Sequence, residues 1–213
     1  MNIKTPLLVL LSVLLLFRGS AQADFSFSLS PSSPTFVEGN PVFVDVLLSS
    51  NSMDALDGFS ANFSLSGGAG LQFTAPQAES HLTNTSYVFY NRSNSLLNSL
   101  PSTVVNSASS MNVSDVSDNG MGGSNPFSVG GVGSESLLAR LNLGALSAGN
   151  YTLELLNTSS FSDVGFNNFI FNTPSLSITV AAVPEPTSVL TGLGLGMIGL
   201  MHRRRRRSLR IVR

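Results

Sequence analysis

One segment has the spacing of a cation site: Asp115-Val116-Ser117-Asp118-Asn119-Gly120. Oxygen-bearing side chains at alternate positions ahead of a glycine resemble half of a calcium loop, with Asp115, Ser117 and Asn119 in the ligand places. The distal position that should hold a bidentate glutamate is Pro126, which has no side-chain donor. Asn-Gly is also an ordinary hairpin turn, and that is the competing reading. Calcium is the only cofactor the sequence offers. Other chemistry finds fewer parts. His81 is the one histidine ahead of residue 202, and no Gly-x-Ser-x-Gly elbow exists to use it as a base, so it reads as a solvated loop residue. Zinc needs a cluster of His, Cys or carboxylate ligands, and the chain has no cysteine. Asp54 and Asp57 could pair as glycosidase carboxylates, but inside residues 53–58 they read as turn formers. No catalytic residue is expected.

Charge places these residues in context. Residues 24–183 hold eleven acids and two bases, Arg92 and Arg140, for a net −9. A domain that acidic repels phosphate backbones, which excludes nucleic acid as a partner. The other nine basic residues lie near the ends, at Lys4, Arg18, residues 203–207, Arg210 and Arg213.

Both ends read as addresses. Lys4, an apolar run over residues 7–17 and Ala21-Gln22-Ala23 form a secretory signal peptide over residues 1–23, cut by signal peptidase between Ala23 and Asp24. At the other end, Pro184-Glu185-Pro186 cannot continue a strand or helix, because each proline lacks an N–H and fixes φ. Residues 187–201 carry no charge, and five arginines follow His202. Fifteen residues at 1.5 Å rise give ~22 Å, a marginal transmembrane helix in an inner membrane with the arginines on the cytoplasmic side.

The middle, residues 24–183, alternates with period two. Phe25, Phe27 and Leu29 form one such set, Val42, Val44, Val46 and Leu48 another, and Phe59, Ala61, Phe63 and Leu65 a third. Later runs fall at residues 71–74, 87–90, 137–143, 151–155, 169–171 and 176–180, with Gly, Asn and Pro between them. About nine short strands with this punctuation predict an all-β, antiparallel sandwich. A short helix over 78–83 is the one helical candidate. Residues 106–134, rich in Ser, Asn and Gly, read as a long mobile loop or a loose edge.

Val183-Pro184-Glu185-Pro186, the short Gly/Leu helix and the arginine cluster together resemble the PEP-CTERM sorting signal of exported bacterial proteins, over residues 183–207. The same segment is also labelled an ice-binding protein C-terminal domain. The resemblance implies recognition by an exosortase, a membrane protease acting around Pro184, Glu185 and Pro186. It also implies a membrane-anchored precursor, later at the cell surface or in an exopolysaccharide or biofilm matrix. Within the middle region, Phe36-Val37-Glu38-Gly39 with 42–46 and 56–63, then 135–143 leading into 149–153, resemble a cohesin-like jelly roll and its carbohydrate-binding-module relatives. The expected organisation is a signal peptide at 1–23, a β-sandwich at 24–183 and a sorting signal at 184–213. The expected function is a non-enzymatic envelope or extracellular-matrix protein. A carbohydrate-binding module of the same fold is the alternative, with polysaccharide as its partner. Sugar binders stack rings on exposed aromatics, and the chain has no Trp and three Tyr; Tyr87, Phe89 and Tyr90 are its one tight aromatic group, and the alternative gains where Tyr90 and a second aromatic face solvent in one flat patch.

Overall fold

The computed structural model describes residues 24–51, 54–68, 73–130 and 133–183. The signal peptide, the Pro184-Glu185-Pro186 stretch and the expected membrane helix lie outside the described residues. Among the described residues, no helix is long and apolar enough to cross a membrane.

Among the described residues thirteen strands form, more than the nine expected. In chain order they are β1 (Asp24–Pro31), β2 (Phe36–Val37), β3 (Pro41–Ser50), β4 (Ala55–Leu56), β5 (Gly58–Gly67), β6 (Thr103–Ser107) and β7 (Ser110–Val116). Then come β8 (Phe127–Ser128), β9 (Ser136–Ala145), β10 (Gly149–Leu155), β11 (Ser160–Ser162), β12 (Ile170–Phe171) and β13 (Ser175–Ala181). The extra strands are mostly two or three residues long, too short for alternation to register. One sheet runs β12-β1-β3-β9. The second runs β2-β13-β10-β5-β7-β6, with β11 also paired to β5, and β4-β8 make a small third. Pairing is antiparallel except at two edges, where β12 runs parallel to β1 and β2 parallel to β13. The expectation of a purely antiparallel sandwich is corrected there.

Alternation explains why the two large sheets face each other. Val42, Val44, Val46 and Leu48 of β3 point inward, as do Phe59, Ala61, Phe63 and Leu65 of β5, and all are buried in one core. Burying each Val, Leu or Phe of these sets contributes roughly 1.5–3 kcal/mol. Phe27 of β1 meets Phe161 of β11 at 4.5 Å between ring centroids, so aromatic packing joins the two sheets directly. Gly67 ends β5 at φ 114°, where an added Cβ would stand 2.3 Å from the carbonyl oxygen of Asn150. Only glycine fits that approach.

Two further expectations change. Residues 106–134 are not one loose segment: β7 lies between β5 and β6, with Met111, Val113 and Asp115 pointing inward. Residues 87–90 are not a strand but consecutive turns, in which the N–H of Tyr90 donates to the carbonyl of Tyr87. Their segment closes one side of the sandwich. Phe73 N–H bonds the carbonyl of Ala108 beside β7, Thr74 N–H bonds Asn142 of β9, and Leu137 exchanges bonds with Ser86 and Val88. The edge of β9 is thereby covered rather than left open to pairing. The helical candidate at 78–83 is a 3-10 turn at Ser80–Thr83, and one short helix, α1 (Asn94–Asn98), starts where the Ser93 hydroxyl accepts from Leu96 N–H.

Candidate functional site

The turn segment and β7 converge on a buried polar cluster. Asp115 occupies an inward position of β7 among apolar neighbours, so its carboxylate needs donors. Four are supplied. The Tyr87 hydroxyl donates to Oδ2 at 2.8 Å, the Ser93 hydroxyl donates to the same oxygen, and the N–H groups of Ser95 and Val116 donate to Oδ1 at 3.0 and 2.9 Å. Burial, and then the adjoining Asp115, push the Tyr87 phenol far above its ordinary pKa, so it stays a donor. Asp115 is a tether holding the start of α1 and the turn segment onto β7.

His81 corrects its expected place. It is 1% exposed, packed edge-on against Tyr87 at 5.3 Å, with Nε2 3.4 Å from the Ser102 hydroxyl. Nδ1 is buried with no hydrogen-bond partner. Burial pulls its pKa down to about 4, against the opposing pull of Glu79 and Asp115. The 3-10 turn lays this ring on the core, where a polar sequence context had read as solvent. Ser102 and His81 do not make an accessible nucleophile, because Ser102 is fully buried and its backbone is paired to β7.

The expected calcium ligands have separate commitments. The Asp115 carboxylate is occupied as above. The Ser117 hydroxyl donates to Asp57 and accepts from Asn125 N–H at 2.9 Å. Asn119 Oδ1 accepts from the N–H groups of Met121 and Gly123, folding its own turn. Pro126 lends only its carbonyl, which accepts from Arg92 at 3.1 Å. Asp57 also accepts from Ser124, and Asp54 accepts from Ser50. Asp57, Ser117 and Asn119 pin the loop that connects β7 to β8, and Asp54 holds the turn that follows β3. Among the described residues, no group of three or more His, Cys, Asp or Glu side chains could hold a metal ion.

The outward face of the second sheet has a chemistry that composition alone did not locate. Ser60, Asn62 and Ser64 of β5 stand opposite Ser114, Asn112 and Ser110 of β7, and Thr152 of β10 stands opposite Ser177 of β13. Asn112 donates to Ser60 and to Asn62 Oδ1, each at 2.9 Å, so the amides form a cross-strand ladder. Glu154 is the only charge at the outward positions of β5, β7, β10 and β13. A period-two polar pattern carried this signal, hidden by the many serines in the loops.

The C-terminal address has independent support. Residues 182–207 match the PEP-CTERM protein-sorting motif. The motif begins one residue after β13 ends at Ala181, and it marks exported proteins processed by an exosortase. No curated protein matches the chain. Among solved structures the described domain is similar to cohesin modules. A chain of a CaDoc0917–CaCohA2 complex is 18% identical, with 75% of this chain and 99% of that one covered and a TM-score of 0.47. The cohesin module of a family 33 glycoside hydrolase from Clostridium perfringens is 12% identical, with 75% and 98% covered and a TM-score of 0.45. A non-cellulosomal cohesin from Archaeoglobus fulgidus is 13% identical, with 78% and 97% covered and a TM-score of 0.42. At such identities and TM-scores no binding partner passes from those chains to this one.

Proposed function

We propose that the protein is a non-enzymatic component of the cell envelope or extracellular matrix, carried out by its signal peptide and released at the surface after exosortase processing, where it associates with neutral polysaccharide. The observation that carries this reading is the join at residues 181 and 182. The sandwich completes its last strand before the sorting motif starts, so removal of the tail costs the domain no strand. The nearly uncharged hydroxyl and amide face of the second sheet supports the choice of partner. It offers donors and acceptors to a hydrated polymer without the repulsion that a −9 domain exerts on polyanions.

Mass spectrometry of the surface-released protein tests the routing. The expected mature chain begins at Asp24 and lacks residues 203–207; a released chain that still carries those arginines would reduce the tail to an anchor. The carbohydrate-binding-module reading asks for two solvent-facing aromatics in one patch: Tyr90 is exposed at a cleft it shares with Phe127, Arg92 and Glu135, while Phe127 is half-buried beneath the Arg92 guanidinium.

A further inference from the structure

That cleft has a volume of about 230 Å³ and lies between the turns at 84–92 and the segment around Phe127 and Glu135. It is smaller than the roughly 300–1,000 Å³ of pockets for drug-sized ligands, so it suits a single small ring. Buried Tyr87 and Val88 form part of the wall, and exposed Tyr90 adds an aromatic residue.

Arg92 is built into the wall rather than dangling from it. Its N–H donates to Phe89, its carbonyl accepts from Asp118, and Nη1 donates to the carbonyl of Pro126. The guanidinium lies over the Phe127 ring, 5.6 Å from its centroid. Such stacking and carbonyl anchoring fix the planar group before any ligand arrives. The ion pair among the described residues joins Arg140 to Asp45, so Arg92 meets no carboxylate of its own. Its Nε and Nη2 donors have no protein partner among the described residues. Glu135 lines the same cleft, exposed, with Oε1 in a long 3.4 Å contact from the Ser28 hydroxyl.

A fixed fork of donors, a carboxylate with spare acceptor capacity and an aromatic face are three complementary needs of one ligand class. A sugar hydroxyl both donates and accepts, and a pyranose presents a flat apolar face. The net charge of −9 disfavours an acidic sugar, and a neutral sugar uses the Arg92 donors and the Glu135 acceptor together without placing a new charge between them. We infer that the cleft of Tyr90, Arg92 and Glu135 is a subsite for one neutral pyranose unit, its ring on Tyr90 and its hydroxyls shared between Arg92 and Glu135. This deepens the polysaccharide reading above and rests on it.

The test uses the full chain in zwitterionic micelles, which carry no sugar head groups. Saturation-transfer NMR is run with methyl glycosides of neutral hexoses and with a methyl glucuronide, and sedimentation with an insoluble neutral glucan. The variants are Tyr90→Ala, Glu135→Gln and Thr152→Ala, the last on the face of the second sheet. The expected result is transfer from a neutral hexoside and weak or no transfer from the uronide. Tyr90→Ala should weaken binding about threefold to tenfold, and Glu135→Gln about tenfold, with Thr152→Ala unchanged. Glucan binding that survives both cleft variants but falls with Thr152→Ala would overturn the cleft and leave the polysaccharide reading standing. Uronide binding as strong as the hexoside would overturn the neutral assignment. If no saccharide binds while the surface-released chain is still correctly trimmed, both the cleft and the polysaccharide partner fall, and only the routing remains.

Discussion

Tyr87 donates its hydroxyl hydrogen to Asp115 at 2.8 Å in a buried polar pocket, beside His81, Ser93 and Ser95, at the edge of the apolar core. The pair ties a segment of irregular turns to an inner strand of the second sheet. Removing one partner leaves the other stranded. Asp115→Ala should strip the acceptor from two hydroxyls and two backbone N–H groups and cost more than Tyr87→Phe, which leaves three donors on the carboxylate and should cost about 1–3 kcal/mol. Urea denaturation of the full chain and both variants measures the two losses, and equal losses would contradict the tether.

His81 should make stability pH-dependent. Its folded pKa, held near 4 by burial, lies below the ordinary imidazole value of 6.5, so the unfolded chain binds the proton more readily. The stabilisation is present above pH 6.5 and is lost as pH falls toward 4, by about 3 kcal/mol for a shift of that size. Carboxylates also titrate at the lower end, so the comparison is with His81→Leu, whose unfolding free energy should show a shallower slope between pH 6.5 and 4. Identical slopes would mean that the ring is not held neutral.

Gly67→Ala forces a methyl group toward the Asn150 carbonyl and keeps φ near 114°. The expected loss is at least the roughly 1–3 kcal/mol of a strained non-glycine residue. A thermal melt of the variant at unchanged midpoint would show that the β5–β10 end can open without cost.

Arg140 forms the ion pair of the outer face of β3 and β9, with Nε 2.6 Å from Asp45 Oδ1, and the hydrogen bond to Asp45 raises its pKa. Both side chains remain substantially exposed, so solvent screens the pair. Arg140→Gln should therefore cost no more than about 1 kcal/mol, and the difference should shrink in 1 M salt. A larger, salt-independent loss would point to a packing role for the arginine stem.

Glu185→Ala is expected to leave export intact and to block trimming, so that a larger, membrane-bound form accumulates on immunoblots of cell fractions. Normal trimming of that variant would remove Glu185 from the recognition element. In the same spirit, residues 24–183 expressed alone should give a β-rich far-ultraviolet circular dichroism spectrum, since every described strand pairs within them.

The long strands were legible because their inward residues are large: β3, β5 and β9 announce themselves through Val, Phe and Leu at every second place. β7 was not, since one of its three inward positions is Asp115 and its outward ones are Ser and Asn, a composition shared with loops. The 87–90 turns mimicked a strand because Tyr87 and Phe89 are both buried, yet Val88 between them is buried too, which a two-sided alternation cannot produce. His81 was misplaced for a related reason. Its sequence neighbours are polar, and only the 3-10 turn, which depends on distant contacts with β9 and on Glu79 accepting from Thr103 of β6, rolls the ring inward. The cleft joins residues more than forty positions apart, a proximity that no local pattern encodes.

The last strand has a mechanical consequence. β13 pairs antiparallel with β10 from Ser175 to Val180 and lies parallel to β2 at Val180 and Ala181. A chain tethered through its tail feels any drag from surrounding polymer at Val183, and a pull along the axis of β13 is resisted in shear. The rungs on both flanks then share the load together instead of opening one after another. Load entering at the tail therefore meets the hydrogen bonds of β13 side by side, the geometry that resists peeling.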